Sequence, residues 1–246
     1  MIEFRDVQSG FGDKVVLQGL SFHVNKGETF VLMGPSGSGK STTLLHMVGV
    51  YRAQEGRVLL QGIDVGRAEP AELHQLRRNI GFLFQSGALL NWLSVFENVA
   101  LPLREAYQLD EDEIESRVKE ALELVRLWEH REKLPAQLSG GMRKRTGLAR
   151  AIVTRPPILL VDEPTTGLDP GMSHQVDKFI RDLNKRMGTT CVVVTHDILC
   201  AQRVADRIGI LKDGRIQAEG GADLLETDDP VVMEFLGKTA ASGEAR

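Results

Sequence analysis

The chain has 246 residues, 42% of them hydrophobic and 26% charged, with a formal net charge of -4. That length supports a substantial core, as one large domain or two small ones, and the mildly acidic balance provides no bulk electrostatic attraction to nucleic acid. Its two cysteines, Cys191 and Cys200, form no C-x-x-C pair and suggest no disulfide framework.

The opening Met1-Ile2-Glu3-Phe4-Arg5 has no signal-peptide pattern, so a cytosolic protein is expected. Alternation from Ile2 to Val7 predicts a half-exposed strand. A turn is expected at Ser9-Gly10-Phe11-Gly12-Asp13, then separate strands at Val15-Val16-Leu17 and Leu20-Ser21-Phe22-His23-Val24. Thr29-Phe30-Val31-Leu32-Met33 reads as a buried strand. It runs into Gly34-Pro35-Ser36-Gly37-Ser38-Gly39-Lys40-Ser41, which is G-x-x-x-x-G-K-[ST], the phosphate-binding P-loop, and Ser41 to Met47 reads as the helix after it. Glycines at 34, 37 and 39 let the backbone curl so that successive N–H groups point at one anion, and the helix adds the positive end of its dipole. Lys40 would reach the β- and γ-phosphates of a nucleoside triphosphate, and Ser41 would offer its hydroxyl to Mg²⁺. A short strand at 56–62 completes a small, antiparallel β region around the start of the core.

The most apolar long stretch, Gly81 to Leu103, is broken by Gln85, Asn91, Glu97 and Asn98. Polar residues at those positions are costly in lipid, so no spanning helix is expected, and membrane work would need a partner to supply the membrane part. Residues 86–155 read as α-rich. Within them, Ile114, Val118, Ala121, Leu122 and Val125 recur at helical spacing behind Asp110, an N-cap with Glu113 three residues on. Leu138-Ser139-Gly140-Gly141-Met142 follows, where Ser139 can cap a helix through Lys144, Leu148 and Ala151 and the glycines leave N–H groups open to an anion. Pro157-Ile158-Leu159-Leu160-Val161-Asp162-Glu163 is a buried strand ending in two carboxylates, the Walker B arrangement. Asp162 would hold Mg²⁺ in its outer shell and Glu163 would polarise the attacking water. Unpaired buried charge is costly, so a purely structural carboxylate pair is disfavoured there. A helix from Ser173 to Met187 carries Val176, Ile180, Leu183 and Met187 on one face. A continuous apolar strand runs from Thr189 to His196, and a terminal hairpin turns at Lys212-Asp213-Gly214. Strands alternating with helices around a P-loop imply a parallel α/β core. The small, polar end from 239 to 246 reads as a flexible tail.

Leu-Ser-Gly-Gly before a basic helix, then the Asp162-Glu163 strand end, then Gly167-Leu168-Asp169 and finally His196 together resemble the ATP-binding-cassette (ABC) ATPases over nearly the whole chain. The resemblance implies a RecA-like P-loop core with an N-terminal antiparallel β subdomain and an inserted helical subdomain of about 86–155, in one domain over 1–238. It implies ATP and Mg²⁺ as ligands, with Gly34 through Thr42 on the phosphates, Phe11 stacked on adenine, and Gln85 contacting Mg²⁺ and sensing the γ-phosphate. Ser139, Gly140 and Gly141 become the signature loop facing the opposing subunit's γ-phosphate, Asp169 the D-loop aspartate and His196 the switch histidine. Catalysis would fall to Glu163, His196 and Lys40. The remaining histidines (His23, His46, His74, His130, His174) have no comparable context. Met142 departs from the glutamine usual at the last signature position, which removes an amide and leaves the Ser-Gly-Gly cradle intact.

The match narrows further. Leu-Ser-Gly-Gly-Met-Arg-Lys-Arg, the stretches 84–90 and 95–105, and the run from Asp228 to Leu236 resemble the ATPases of Mla/Mce-type lipid transport systems, which move phospholipid between the envelopes of Gram-negative bacteria. That implies a homodimer around two MgATP at the cytoplasmic face of the inner membrane. The partners would be an integral membrane permease and, in that group, an MCE-domain protein and a small STAS-type subunit; no nucleic acid is expected. Leu89, Leu90, Trp92, Leu93 and Phe96 serve either as helical-subdomain core or as the permease dock. A soluble ABC ATPase acting on DNA or ribosomes is the alternative, although the long coiled-coil inserts or paired cassettes usual there are not visible. A P-loop small-molecule kinase leaves the signature loop, Glu163 and His196 unexplained.

Overall fold

A computed structural model describes residues 1–12, 14–107 and 109–237. The chain divides into two compact units, one made of Met1–Ala68 with the described chain from Val192 onward, the other of Glu69–Cys191.

In the first unit, β1 (Ile2–Phe11) and β2 (Lys14–Val24) pair antiparallel, with Ile2 opposite Val24. Valines 15 and 16 and the Leu20–Val24 segment therefore lie in one strand rather than two. Gly19, at φ +77°, stands as the extra residue between the pairs Val7–Leu20 and Gln8–Gln18. A glycine bulge of this kind bends a strand without ending it. The expected turn also begins later, because β1 continues through Phe11; Asp13 lies outside the described residues. Next come β3 (Thr29–Met33), buried at every position, α1 (Lys40–Met47), β4 (Glu55–Leu60) and β5 (Ile63–Asp64). The order β2-β1-β4-β5 makes the antiparallel sheet foreseen at the start of the chain.

The second unit holds the helices. α2 (Pro70–Arg78) precedes β6 (Ile80–Leu83), and then come α3 (Val95–Ala106), α4 (Glu111–Leu124), α5 (Gly140–Ile152), β7 (Ile158–Asp162) and α6 (Pro170–Met187). The Asp110 cap forms, its Oδ1 accepting from Glu113 N at 2.8 Å, while the Glu113 carboxylate pairs with Arg117 at 2.6 Å. Ile114, Val118, Ala121 and Leu122 are buried as their spacing requires. On α6, Val176 and Ile180 are buried, but Met187 is 48% exposed, so the apolar face ends a turn early. β6 and β7 run parallel, with Leu83 opposite Val161.

β8 (Thr190–Thr195) starts in the second unit and continues in the first, which is completed by α7 (Ile198–Val204), β9 (Arg207–Lys212), β10 (Arg215–Gly220) and α8 (Pro230–Phe235). β3 pairs parallel with β9, Val31 opposite Ile208, and β9 turns into β10 through Asp213 and Gly214, both at positive φ. That geometry suits an Asp-Gly hairpin. Phe4, Phe22 and Phe30 stack in series at 4.6 and 5.2 Å in this unit's core. Cys191 and Cys200 are buried, and neither is joined in a disulfide. Parallel strands alternating with helices, an antiparallel β sheet in the first unit and a run of helices in the second give the α/β P-loop architecture that the motif order implied. The expected tail from 239 lies outside the described residues.

Candidate functional site

In the first unit the site begins where β3 ends. Thr29 N donates to Asp206 Oδ2 at 2.8 Å and Asp206 N to Thr29 O at 2.9 Å, which fixes β3 against β9 at its start. At its other end the backbone is so close to β9 that a Cβ on Gly34 would lie 2.2 Å from Leu211 O. Gly37 and Gly39 take φ of +83° and +105°, and Gly39 is the N-cap of α1. The loop therefore curls as the glycine spacing demands, and only glycine fits at position 34. Lys40, almost buried, lays its Nζ across the loop, donating to Gly34 O at 2.8 Å and Pro35 O at 3.0 Å. Ser38 Oγ is buried without a hydrogen-bond partner. A buried hydroxyl in that state, in a glycine-rich loop at the start of a helix, fits an anionic oxygen ligand. Ser41 stands at the exposed start of α1, with Thr42 half-buried behind it.

Two further expected residues share this unit. His196 follows β8 and lines a cavity of about 370 Å³ together with Gly34, Pro35, Ile198, Lys212 and Phe235. The structure thus brings the histidine to the P-loop. Phe11 is 47% exposed at the end of β1, with its ring edge-on to Tyr51 at 4.9 Å, so one face is available for stacking.

In the second unit, Asp162 and Glu163 lie at the carboxyl end of β7, 8% and 7% exposed. Gln85 follows β6, the parallel neighbour of β7, so it projects from the same sheet end. Glu163 has φ +50°, left-handed for a long side chain, a state that costs on the order of 1–3 kcal/mol and persists only where the surroundings enforce it. Thr166 Oγ1 donates to Glu163 Oε2 at 3.0 Å. Ser139 caps α5, its Oγ accepting from Met142 N at 3.2 Å; because the contact is made by the Met142 backbone, the methionine side chain leaves the cap intact. A Cβ on Gly141 would sit 3.2 Å from Leu168, next to Asp169, which caps α6 by accepting from Met172 N at 3.0 Å.

Sequence reasoning missed two residues on α5. Lys144 is 4% exposed and donates to the main-chain oxygens of Glu163 and of Thr166, the latter at 2.8 Å. Arg150 donates to Gly87 O and Ala88 O, both at 2.8 Å, just past Gln85, and burial pushes its guanidinium pKa down. Both sit in a basic helix that reads as a solvated face, and no local pattern separates the buried cations from exposed ones. Gly147 lies between them, where a Cβ would meet Gly87 Cα at 2.9 Å, so α5 packs directly on the loop after Gln85.

Among the described residues no group of three or more His, Cys, Asp or Glu side chains could hold a metal, and no helix is long and apolar enough to cross a membrane.

A glycine-rich phosphate loop, a buried carboxylate pair at a strand end and a Ser-Gly-Gly helix start define a nucleoside triphosphatase of the P-loop class. The chain matches the ABC transporter family over residues 17–166. It is 40% identical over 238 residues to the intermembrane phospholipid transport system ATP-binding protein MlaF of Escherichia coli K12, covering 96% of this chain and 88% of that protein. It is 39% identical over 236 residues to the probable ribonucleotide transport ATP-binding protein mkl of Mycobacterium leprae, covering 96% of this chain but 68% of that protein. A dimeric ATP-binding cassette, solved in a post-hydrolysis state with ADP and Pi, matches with a TM-score of 0.85 at 36% identity, over 90% of this chain and 99% of that one. The chain belongs to the ABC transporter family, as an ATP-binding cassette with ATPase activity.

Proposed function

We propose that this cassette forms a single domain over 1–238, dimerises around two MgATP, and energises a membrane permease that moves phospholipid between inner and outer membranes. The observation that carries the lipid assignment is the likeness to a phospholipid-transport ATPase along 88% of that protein's length. The likeness to a ribonucleotide-transport ATP-binding protein, over 68% of its length, supports nucleotide cargo as a second reading.

In the leading reading, Gly34 through Thr42 wrap the triphosphate with backbone N–H groups, Lys40 swings from the loop carbonyls to the β- and γ-phosphates, and Ser38 Oγ donates to a phosphate oxygen. Phe11 stacks on adenine. The donor set fits Mg²⁺, which takes a few hard oxygen donors completed by phosphate and water rather than an all-protein cage: the Ser41 hydroxyl, the Gln85 amide oxygen and, in the outer shell, the Asp162 carboxylate. When bound, Mg²⁺ neutralises charge developing on the phosphoryl group. Glu163 orients and polarises the attacking water, His196 orients the γ-phosphate, and Ser139, Gly140 and Gly141 meet the γ-phosphate held by the partner copy, with Asp169 beside them. The site needs both copies, so ATP occupancy favours closure, and hydrolysis releases it. Trp92, 74% exposed beside half-buried Leu89, Leu90, Leu93 and Phe96, supports permease docking on this face at the cytoplasmic side of the inner membrane, with some of those residues also packing inward. An MCE-domain protein and a STAS-type subunit complete the assembly.

Glu163→Gln should bind ATP, accumulate as a closed dimer in size-exclusion chromatography, and lose about 10²–10⁴ of the hydrolysis rate, the range for a missing general base. Hydrolysis at the parental rate would overturn the base assignment. Mass spectrometry of molecules co-purified with the intact transporter decides between phospholipid and nucleotide cargo.

A further inference from the structure

The turn that presents Glu163 is held by a side chain from α5. Lys144 Nζ donates to the main-chain oxygens of Glu163 and Thr166, the two ends of that turn, while Thr166 Oγ1 donates to the Glu163 carboxylate at 3.0 Å. An ammonium has three donors around one atom and can serve two divergent carbonyls, and the charge strengthens both bonds. Glu163 holds φ +50° within this clasp. Lys144 stands on α5, the helix whose first turn is capped by Ser139, roughly 7–8 Å away along the axis at 1.5 Å per residue. The far half of α5 is fixed to the loop after Gln85, by Arg150 on Gly87 O and Ala88 O and by the close fit of Gly147 against Gly87. α5 thus joins the Ser139 cap to the backbone of Glu163 within one helix.

We propose that Lys144 is a positioning residue that couples the two ATP sites of the dimer. The inference rests on the assignments above, in which Ser139–Gly141 contact nucleotide on the partner copy while Glu163 serves nucleotide on its own P-loop. Through Lys144, occupancy of one site sets the base of the other, so hydrolysis is cooperative in ATP.

The test uses the intact transporter, measuring ATPase rate against ATP concentration, with binding of a fluorescent ATP analogue as the second readout. Lys144→Met keeps the aliphatic length and removes all donors. It should lower kcat about 10–100-fold, the scale set by an ångström of misplacement, leave analogue affinity within about twofold, and bring the Hill coefficient from its parental value above 1 down to 1. Lys144→Arg should recover most of both. If Lys144→Met does not fold, Lys144→Gln, with shorter reach and one donor group, carries the same expectation. In a Glu163→Gln background Lys144→Met should cost nothing further, because it acts through that residue. A parental rate and Hill coefficient in Lys144→Met, a parental coefficient of 1, or an additional loss in the double variant would each overturn the proposal. Glu163→Gln alone at the parental rate would instead overturn the base assignment on which it rests.

Discussion

Asn98 is fully buried on α3 and works as a clamp on the loop that carries Trp92. Its Oδ1 accepts from Leu90 N at 2.8 Å, and its Nδ2 donates to Leu90 O at 3.1 Å, Leu93 O at 3.0 Å and Ser94 O at 3.0 Å. Two amide hydrogens face three carbonyls, and Ser94 O already accepts from Asn98 N at 2.9 Å, so the independent bonds are those to Leu90 N, Leu90 O and Leu93 O. Each is worth about 1 kcal/mol net, with a further penalty where a buried partner is left unpaired, so Asn98→Ala should destabilise by about 3 kcal/mol. Asn98→Asp should do no better: it keeps an acceptor for Leu90 N but turns a carboxylate oxygen toward the two carbonyls. Both tryptophans, Trp92 and Trp128, belong to the second unit, so urea unfolding followed by their fluorescence reports on this region. Hydrogen exchange at the Leu90 amide reads the clamp directly. A loss below about 1 kcal/mol with the Leu90 amide still protected would show that the loop holds its shape without the side chain, and the reasoning would fail.

Gly34→Ala should weaken ATP-analogue binding at least tenfold, because its Cβ would lie 2.2 Å from the Leu211 carbonyl and push the start of the P-loop away from β9; unchanged affinity would show that the loop yields freely. His46 predicts an acid-side stability loss. Burial pushes its pKa down, and although the Tyr51 backbone opposes this in part, neither ring nitrogen has a hydrogen-bond partner of acceptable geometry. The unfolded chain takes up the proton near the ordinary value of about 6.5 and the folded chain only below it. Its contribution is therefore complete above about pH 6.5 and is lost as pH falls from there toward the lowered folded value. Denaturant midpoints at pH 7.5 and 5.5 should differ less in His46→Leu than in the parent, and an equal difference would assign the acid sensitivity elsewhere.

What the sequence disclosed follows the range over which each signal acts. The P-loop between a buried strand and a helix, the Ser139 cap and the carboxylates ending β7 all depend on residues within a few positions, and all stand where expected. The Asp110 cap and its buried stripe were legible for the same reason. α2 was not, because only Leu76 of its nine residues is buried and no apolar stripe exists to reveal it. The division of β2 was misread because Gly19 looks like a break, whereas the strand absorbs it as a bulge with β1 continuous across from it.

Lys144 was out of reach for a deeper reason. Between Arg143 and Arg145 it looks like part of a solvated basic run, and its partners lie 19 and 22 positions away, on the turn after β7. A cation in that place cannot be told from its neighbours by type or period, only by the carbonyls that fold toward it. The same holds for Arg150, whose acceptors are 62 and 63 positions away. The groups expected to touch nucleotide form short motifs because a phosphate is a small target that must be met by consecutive backbone atoms. The groups that tie those motifs to one another face no such constraint and leave no local pattern. Substitutions in the first set should therefore remove binding or chemistry outright, while substitutions in the second should change how one site responds to the other, as Lys144→Met is expected to do.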